Sequence, residues 1–194
     1  MFEIVPHDHR LRPVVESAIR SAFQRDHGAR LDRLPACLVA STDEAGVICA
    51  ASLRFAEDGF FSERYLDQPI EQLIARRTGA RADRAALVEV GSLAADRPGE
   101  VKDLVGGIIR FLHHRGTRWA FFTATARLRT FLGRAGIPLV ELARADPSRI
   151  DGVEAWGAYY QQDPRVMLVS DAMLDASVLI AVHPMERVCH RSAA

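Results

Sequence analysis

Apolar positions along this chain alternate between helical and strand spacing, and that alternation outlines a fold. Val14, Val15, Ala18, Ile19, Ala22 and Phe23 recur at helical spacing with charges between them. Residues 13–24 are therefore expected to form an amphipathic helix opened by Pro13. Two apolar runs, 36–41 and 47–55, flank the turn-like Asp43-Glu44-Ala45-Gly46 and predict a β-hairpin. Residues 57–67 show no clean period and form the longest irregular piece, the kind of loop that often carries function. Asp67 and Pro69 signal a helix start, with Glu71 in its first turn and Ile70, Leu73 and Ile74 on one face up to Gly79. An arginine-rich gap leads to an apolar strand over 86–94, closed by Pro98 and Gly99. Val101, Leu104, Val105, Ile108, Ile109 and Leu112 then make an apolar stripe running to Gly116. A strand over 118–123, a short helix over 127–134 and a strand over 137–143 complete the pattern, and beyond Val169 the signal weakens. The order strand, helix, strand, helix, strand predicts an α/β (α+β) domain with a mixed central sheet flanked by helices.

With 194 residues the chain is long enough for one well-buried domain, expected over 1–170, with 171–194 as a C-terminal extension, partly disordered in its last dozen residues. Its 25 basic and 25 acidic residues cancel, so no global field favours nucleic acid or an acidic membrane. The first residues lack a basic region followed by an apolar run, so no secretory signal is expected. SVLIAV from Ser177 is strand-sized, far below the ~18 apolar residues of a membrane span. Cys37, Cys49 and Cys189 are odd in number and widely spaced, which argues against a disulfide framework and against a zinc site. These readings favour a cytoplasmic protein without a metal.

Several motifs together carry a resemblance. LRFA from Leu53, FFSERYLDQPIE from Phe60, LVEVGSLAA from Leu87, WAFFTATARLRTFLGRAGIP from Trp119, ARADPSRI from Ala143 and WGAYYQQDPRV from Trp156 occur in the order typical of thermostable hemolysins. Over most of residues 10–170 the chain resembles that family, which is similar to the GNAT acyltransferases and close to the acyl-homoserine-lactone and N-acyl amino acid synthases. The resemblance implies a GNAT-like sheet splayed at the Glu89 strand to admit a thioester. In GNAT proteins a glycine-rich loop after that strand binds pyrophosphate through backbone amides. Here the place holds DRPGEVKDLVGG, with Arg97, Gly99 and Lys102 in support, which shifts the expectation from coenzyme A towards an acyl carrier protein. Ser92 stands where the homoserine-lactone synthases carry an arginine, which argues against an S-adenosylmethionine-type substrate; the hemolysin family commonly has asparagine there.

Glu89 lies among Leu87, Val88, Val90 and Leu93, where an ionised carboxylate is costly unless paired. It reads as a structural ion pair, with Arg54 as a candidate partner, or as a general base whose pKa is raised by burial. Gly91 in the same strand marks a bulge, a close backbone approach or a twist adjustment. In a GNAT-like fold such a bulge would aim the N–H of Leu93 or Ala94 at the acyl carbonyl. Arg54 at a strand end either holds an acceptor carboxylate in a bidentate pair or locks Glu63 or Glu71 in place. Thr123 and Thr125 end a strand, where their hydroxyls bond a pantetheine amide or the acceptor, or simply cap. Trp156, Tyr159 and Tyr160 pack the core or line an acyl tunnel. Arg127 and Arg129 read as solvated helix charges or a docking site for an acidic carrier. His113 and His114 suit a helix C-terminus, and Cys37 and Cys49 suit buried, inert strand positions.

The leading expectation is an N-acyltransferase that moves a fatty acyl group from an acyl-carrier-protein or acyl-CoA co-substrate to a small, carboxylated amine, with no tightly bound cofactor. A membrane-active hemolysin and a catalytically silent GNAT-like binding module are the alternatives.

Overall fold

The computed structural model describes residues 1–95 and 101–174; Arg97, Gly99, Cys189 and the extension beyond residue 174 lie outside the described residues. Seven strands form one mixed sheet. They are β1 (Phe2–Val5), β2 (Cys37–Asp43), β3 (Gly46–Arg54), β4 (Leu87–Ala95), β5 (Trp119–Ala124), β6 (Val140–Arg144) and β7 (Arg165–Ser170), in the order β1-β2-β3-β4-β5-β7-β6. The sheet is antiparallel except at its centre, where β4 and β5 run parallel. That geometry requires a crossover, which helix α3 (Val101–His114) supplies.

Helix α1 (Arg12–His27) begins with Pro13 in its first turn and ends at Gly28, whose φ of 68° is the left-handed cap that glycine adopts at little cost. Its buried stripe, Val15, Ile19, Ala22 and Phe23, packs on Val5, Leu38, Ala40 and Ala50 of the sheet. Helix α2 (Ile70–Thr78) buries Ile70 and Ile74 against Leu87, Phe121 and Leu168 on the same face. On the other face, Leu104, Ile108 and Leu112 of α3 cover Val39, Ala51, Leu53 and Val88. Each such fully buried aliphatic side chain stabilises the fold by about 1.5–3 kcal/mol. Helix α4 (Ala126–Arg134) lies beside α3, with Leu132 packed on Ile137 and Val169.

The hairpin, the central strands and all four helices form where the apolar pattern places them. Strands β1 and β7 are additions: FEIV is too short to show a period, and within RVMLVS the four residues from Val166 to Val169 are apolar without alternation. The last expected strand starts later than predicted, at Val140, because Ile137 instead closes α4 by donating its N–H to the Leu132 carbonyl. The irregular segment contains two short 3-10 turns, Ala56–Asp58 and Ser62–Tyr65.

Candidate active site

The sheet opens at its centre. β4 and β5 share three registered pairs, Leu87–Trp119, Val88–Ala120 and Glu89–Phe121, and beyond Glu89 the two strands part. On its other side β4 carries a bulge. Ala94 faces Ala50 and Gly91 faces Ser52, so Ser92 and Leu93 together stand opposite Ala51. The strained residue is Ser92, with φ of 49°, and not Gly91, whose φ is negative. At 91 the backbone instead approaches a neighbour closely: a Cβ there would lie 3.0 Å from Ser52 Oγ, which would have to shift.

A cavity of about 1110 Å³ occupies this opening and reaches both faces of the sheet. On the α3–α4 face its wall is apolar, with Val105, Ile108, Leu112, Phe122 and Phe131 among the contributors. On the α1 face it is polar and aromatic, with Arg54, Glu89, Thr123, Trp156 and Tyr159. Further out on that side lie His27, Arg30, Asp32 and Arg33, from the end of α1 and the loop after it.

Glu89 is 4% exposed and sits where the strands part. It is paired with the irregular loop and not with Arg54. The Phe61 N–H donates to Oε2 at 2.6 Å, while the Ser62 N–H and Ser62 Oγ–H donate to Oε1 at 2.9 and 2.6 Å. Burial pushes its pKa above the usual carboxylate value; the Ser62 hydroxyl, the two backbone N–H groups and the Arg54 charge oppose that shift. Ser62 Oγ also lies 2.8 Å from Thr123 Oγ1 on β5. Three groups from a loop, β4 and β5 therefore form one continuous chain ending at the cavity wall.

Arg54 stands directly across from Glu89 in the sheet register and lines the cavity, and its side chain makes no hydrogen bond or ion pair with a described residue. It locks neither Glu63 nor Glu71. Arg84 does so, donating to both oxygens of Glu63 at 2.8 and 2.6 Å and to Glu71 at 3.0 Å. This pairing holds the Glu63 carboxyl below its ordinary pKa and takes Glu63 off the cavity wall. Arg84 belongs to the arginine-rich gap, where no spacing distinguishes it from its neighbours.

Leu93 and Ser92 line the cavity, whereas Ala94 is buried against the α1 core. Thr125 caps α4, accepting from the Leu128 N–H at 3.4 Å, and also reaches the cavity. Trp156 packs at 5.5 Å from Phe61 and 5.3 Å from Tyr159, ring centre to ring centre. Tyr159 donates to the Thr123 carbonyl at 3.3 Å, and Tyr160 lies behind the wall with its hydroxyl 2.6 Å from that of Tyr65. Burial raises the pKa of all three phenols, so they act as neutral hydrogen-bonding groups. The wall residues on this segment are held by backbone contacts: Ala158 donates to the His27 carbonyl and Arg30 to the Ala155 carbonyl, both at 2.7 Å.

Arg127 is exposed, as expected, but Arg129 is not a solvated charge: it bonds the Ala124 and Asp163 carbonyls and the Asp163 carboxylate, fastening α4 to the loop before β7. His113 and His114 are exposed at the end of α3, Cys49 is buried, and burial raises the Cys37 thiol pKa. Among the described residues no helix is long and apolar enough to cross a membrane, and no His, Cys, Asp and Glu side chains cluster as a metal site would require.

The mixed sheet opened between its parallel central strands has the GNAT-like fold of the acyl-homoserine-lactone and N-acyl amino acid synthases. Three solved structures show that fold at low identity. The acyl-homoserine-lactone synthase LasI matches with a TM-score of 0.62 at 8% identity, over 94% of this chain and 94% of its own. BjaI, a CoA-dependent acyl-homoserine lactone synthase solved with SAM and isopentyl-CoA, matches with a TM-score of 0.63 at 14% identity, over 94% of this chain and 87% of its own. FeeM, an N-acyl amino acid synthase from uncultured soil microbes, matches with a TM-score of 0.62 at 12% identity, over 93% and 96%. No protein of curated function matches the sequence. Residues 5–173 match the family profile of the thermostable hemolysins, and the chain belongs to that family.

Proposed function

We propose that this protein is an N-acyltransferase that moves a fatty acyl group from a thioester to the amine of a small carboxylated acceptor. The observation that carries this reading is the position of Glu89, a buried carboxylate of raised pKa at the fork where one cavity turns from apolar to polar. A base tuned upwards by burial takes a proton from an amine more readily than an ordinary carboxylate. The apolar half of the cavity suits the acyl chain. Its size supports a fatty chain, since about 1110 Å³ slightly exceeds the ~300–1,000 Å³ of ordinary small-molecule pockets and far exceeds a two-carbon group. On the polar side, the unpaired guanidinium of Arg54 suits the acceptor's carboxylate in a bidentate pair. The bulge at Ser92 and Leu93 frees backbone amides from the ladder, and the Leu93 N–H is the proposed donor to the oxyanion. Thr123, Thr125, Trp156 and Tyr159 then form the walls that position the two substrates.

An acyl carrier protein is the proposed donor, because the sequence between β4 and α3 lacks the glycine-rich pyrophosphate pattern. The test is thiol release by purified protein from a panel of acyl carrier proteins and acyl-CoAs of two to sixteen carbons, with amino acids as acceptors. Mass spectrometry of lipid extracts from cells expressing wild type or Glu89→Gln accompanies it. Turnover of C8–C16 acyl carrier protein with an N-acyl product is expected. Efficient turnover of acetyl-CoA alone overturns the donor assignment, and leakage of liposomes by pure protein without any turnover overturns the enzyme reading.

A further inference from the structure

We propose that Ser62 and Thr123 form a proton relay that connects the acceptor amine to Glu89, so that the base acts through two hydroxyls. This rests on the N-acyltransferase reading of the cavity. The carboxylate of Glu89 accepts three hydrogen bonds from the loop, one on Oε2 from the Phe61 N–H and two on Oε1, from the N–H and the hydroxyl of Ser62, so Oε1 is filled. Ser62 is 1% exposed and stands between Glu89 Oε1 and Thr123 on the cavity wall. A hydroxyl has one proton. With Glu89 ionised, Ser62 Oγ spends its proton on the carboxylate and must accept in its 2.8 Å contact with Thr123 Oγ1. Thr123 is thereby forced to donate to Ser62, which leaves its lone pairs for the cavity it lines. The chain thus presents an acceptor to whatever enters, as an attacking N–H requires.

The step balances as follows. The amine nitrogen bonds the thioester carbonyl carbon and the C–S bond breaks. The amine proton passes to Thr123 Oγ1 as the threonine proton moves to Ser62 Oγ and the serine proton to Glu89. The thiolate takes a proton from solvent, and Glu89 returns its own to solvent by the reverse shift. Both hydroxyls end as they began, with the hydrogen bonds of the chain reversed until Glu89 ionises again. The charged or titratable groups around Glu89 are Arg54 on β3, Tyr65 beyond the loop and Tyr159 on the cavity wall, and none of them lies in the path.

Two pairs of measurements test the relay. On the thioester and amino acid pair that wild type turns over, Thr123→Val should lower kcat by about 10²-fold, the usual worth of positioned proton transfer, with the acceptor KM changed less than threefold. Thr123→Ser, which keeps the hydroxyl, should restore most of the rate. Ser62→Ala should match Thr123→Val and lose the acidic limb of the pH–rate profile that reports Glu89. Full activity in Thr123→Val and Ser62→Ala beside a dead Glu89→Gln overturns the relay and leaves the N-acyltransferase reading standing. If wild type turns over no pair, that reading fails, and neutron diffraction of the deuterated protein at alkaline pH still decides the hydroxyl chain. Deuterium on Thr123 Oγ1 directed at Ser62, and on Ser62 Oγ directed at Glu89, is expected. Deuterium on Thr123 directed into the cavity overturns the relay.

Discussion

Glu89→Gln separates the acid–base role of this residue from its structural one, and both effects can be worked out from three hydrogen bonds. The carboxylate accepts from Phe61 N–H on one oxygen and from Ser62 N–H and Oγ–H on the other. Glutamine offers one acceptor and one donor. With its carbonyl towards Ser62, its amide NH₂ faces the Phe61 N–H across a gap that held a 2.6 Å hydrogen bond, and two donors oppose each other. Turning the amide over moves the conflict to the Ser62 N–H. One buried N–H is left unsatisfied either way, at a cost of about 1–3 kcal/mol. For a chain of this size each kcal/mol lowers Tm by about 2–4 °C. The pH dependence has a defined sign. The folded pKa is raised above the ordinary 4.5, so between the two values the folded state binds more protons than the unfolded one. Wild-type stability from this group therefore falls as pH rises from 4.5 through the folded value, whereas the glutamine variant lacks that slope. The deficit of the variant is thus largest at the acidic end and shrinks towards neutrality, as thermal melts across pH would show. In kinetics, kcat should drop by about 10²-fold, equivalent to about 2.7 kcal/mol of barrier. A folded variant with full kcat through neutral pH refutes the base assignment, and a stability deficit that grows with pH refutes the electrostatic reasoning.

Arg54→Lys should raise the acceptor KM while sparing that of the donor, because a point charge cannot reproduce two parallel hydrogen bonds; an unchanged acceptor KM with a lowered Tm would remove Arg54 from the binding site. Arg84→Ala breaks the clamp on Glu63 and Glu71, and since the guanidinium is 39% exposed, screening limits the loss to about 1 kcal/mol in urea denaturation. A loss above about 3 kcal/mol would mean that the clamp does more than pin the loop to α2. Gly157→Ala should cost about 2–3 kcal/mol, since a Cβ there would lie 2.2 Å from the His27 carbonyl oxygen at a residue with φ of 53°. Unchanged denaturation of that variant would show that the Trp156 segment is not anchored on the end of α1.

The residues that announced themselves in the sequence did so by contrast with a pattern. Glu89 stands out as an acid on an apolar strand, and the α3 stripe needs no partner to be recognised. The parallel pairing of β4 and β5 is implied by the intervening helix, whereas their parting beyond Glu89 is legible only through the family resemblance. Ser62 carried no such signal: it is a common residue in an aperiodic loop, and only folding brings it beneath a strand 27 positions later. Arg84 was hidden among other arginines for the same reason. Gly91 drew the eye to the right strand, yet the strained residue is its neighbour Ser92, because a bulge is a property of two strands in register and one strand cannot show it. β7 shows no alternating polarity because both of its faces are buried, from Val166 to Ser170.

The fork between β4 and β5 also divides the sheet as a seam divides cloth. On one side β1 to β4 form a continuous antiparallel block, and on the other β5, β7 and β6 form a smaller one. β3 and β4 share five registered pairs and β5 and β7 share six, but three pairs alone close the seam between the two halves. The cavity lies along the open length of that seam, so any occupant touches both halves at once. Its binding free energy would then count directly towards holding them together. Amide exchange at Leu87–Glu89 and Trp119–Phe121 should therefore slow when the cavity fills, while exchange deep in either half stays the same.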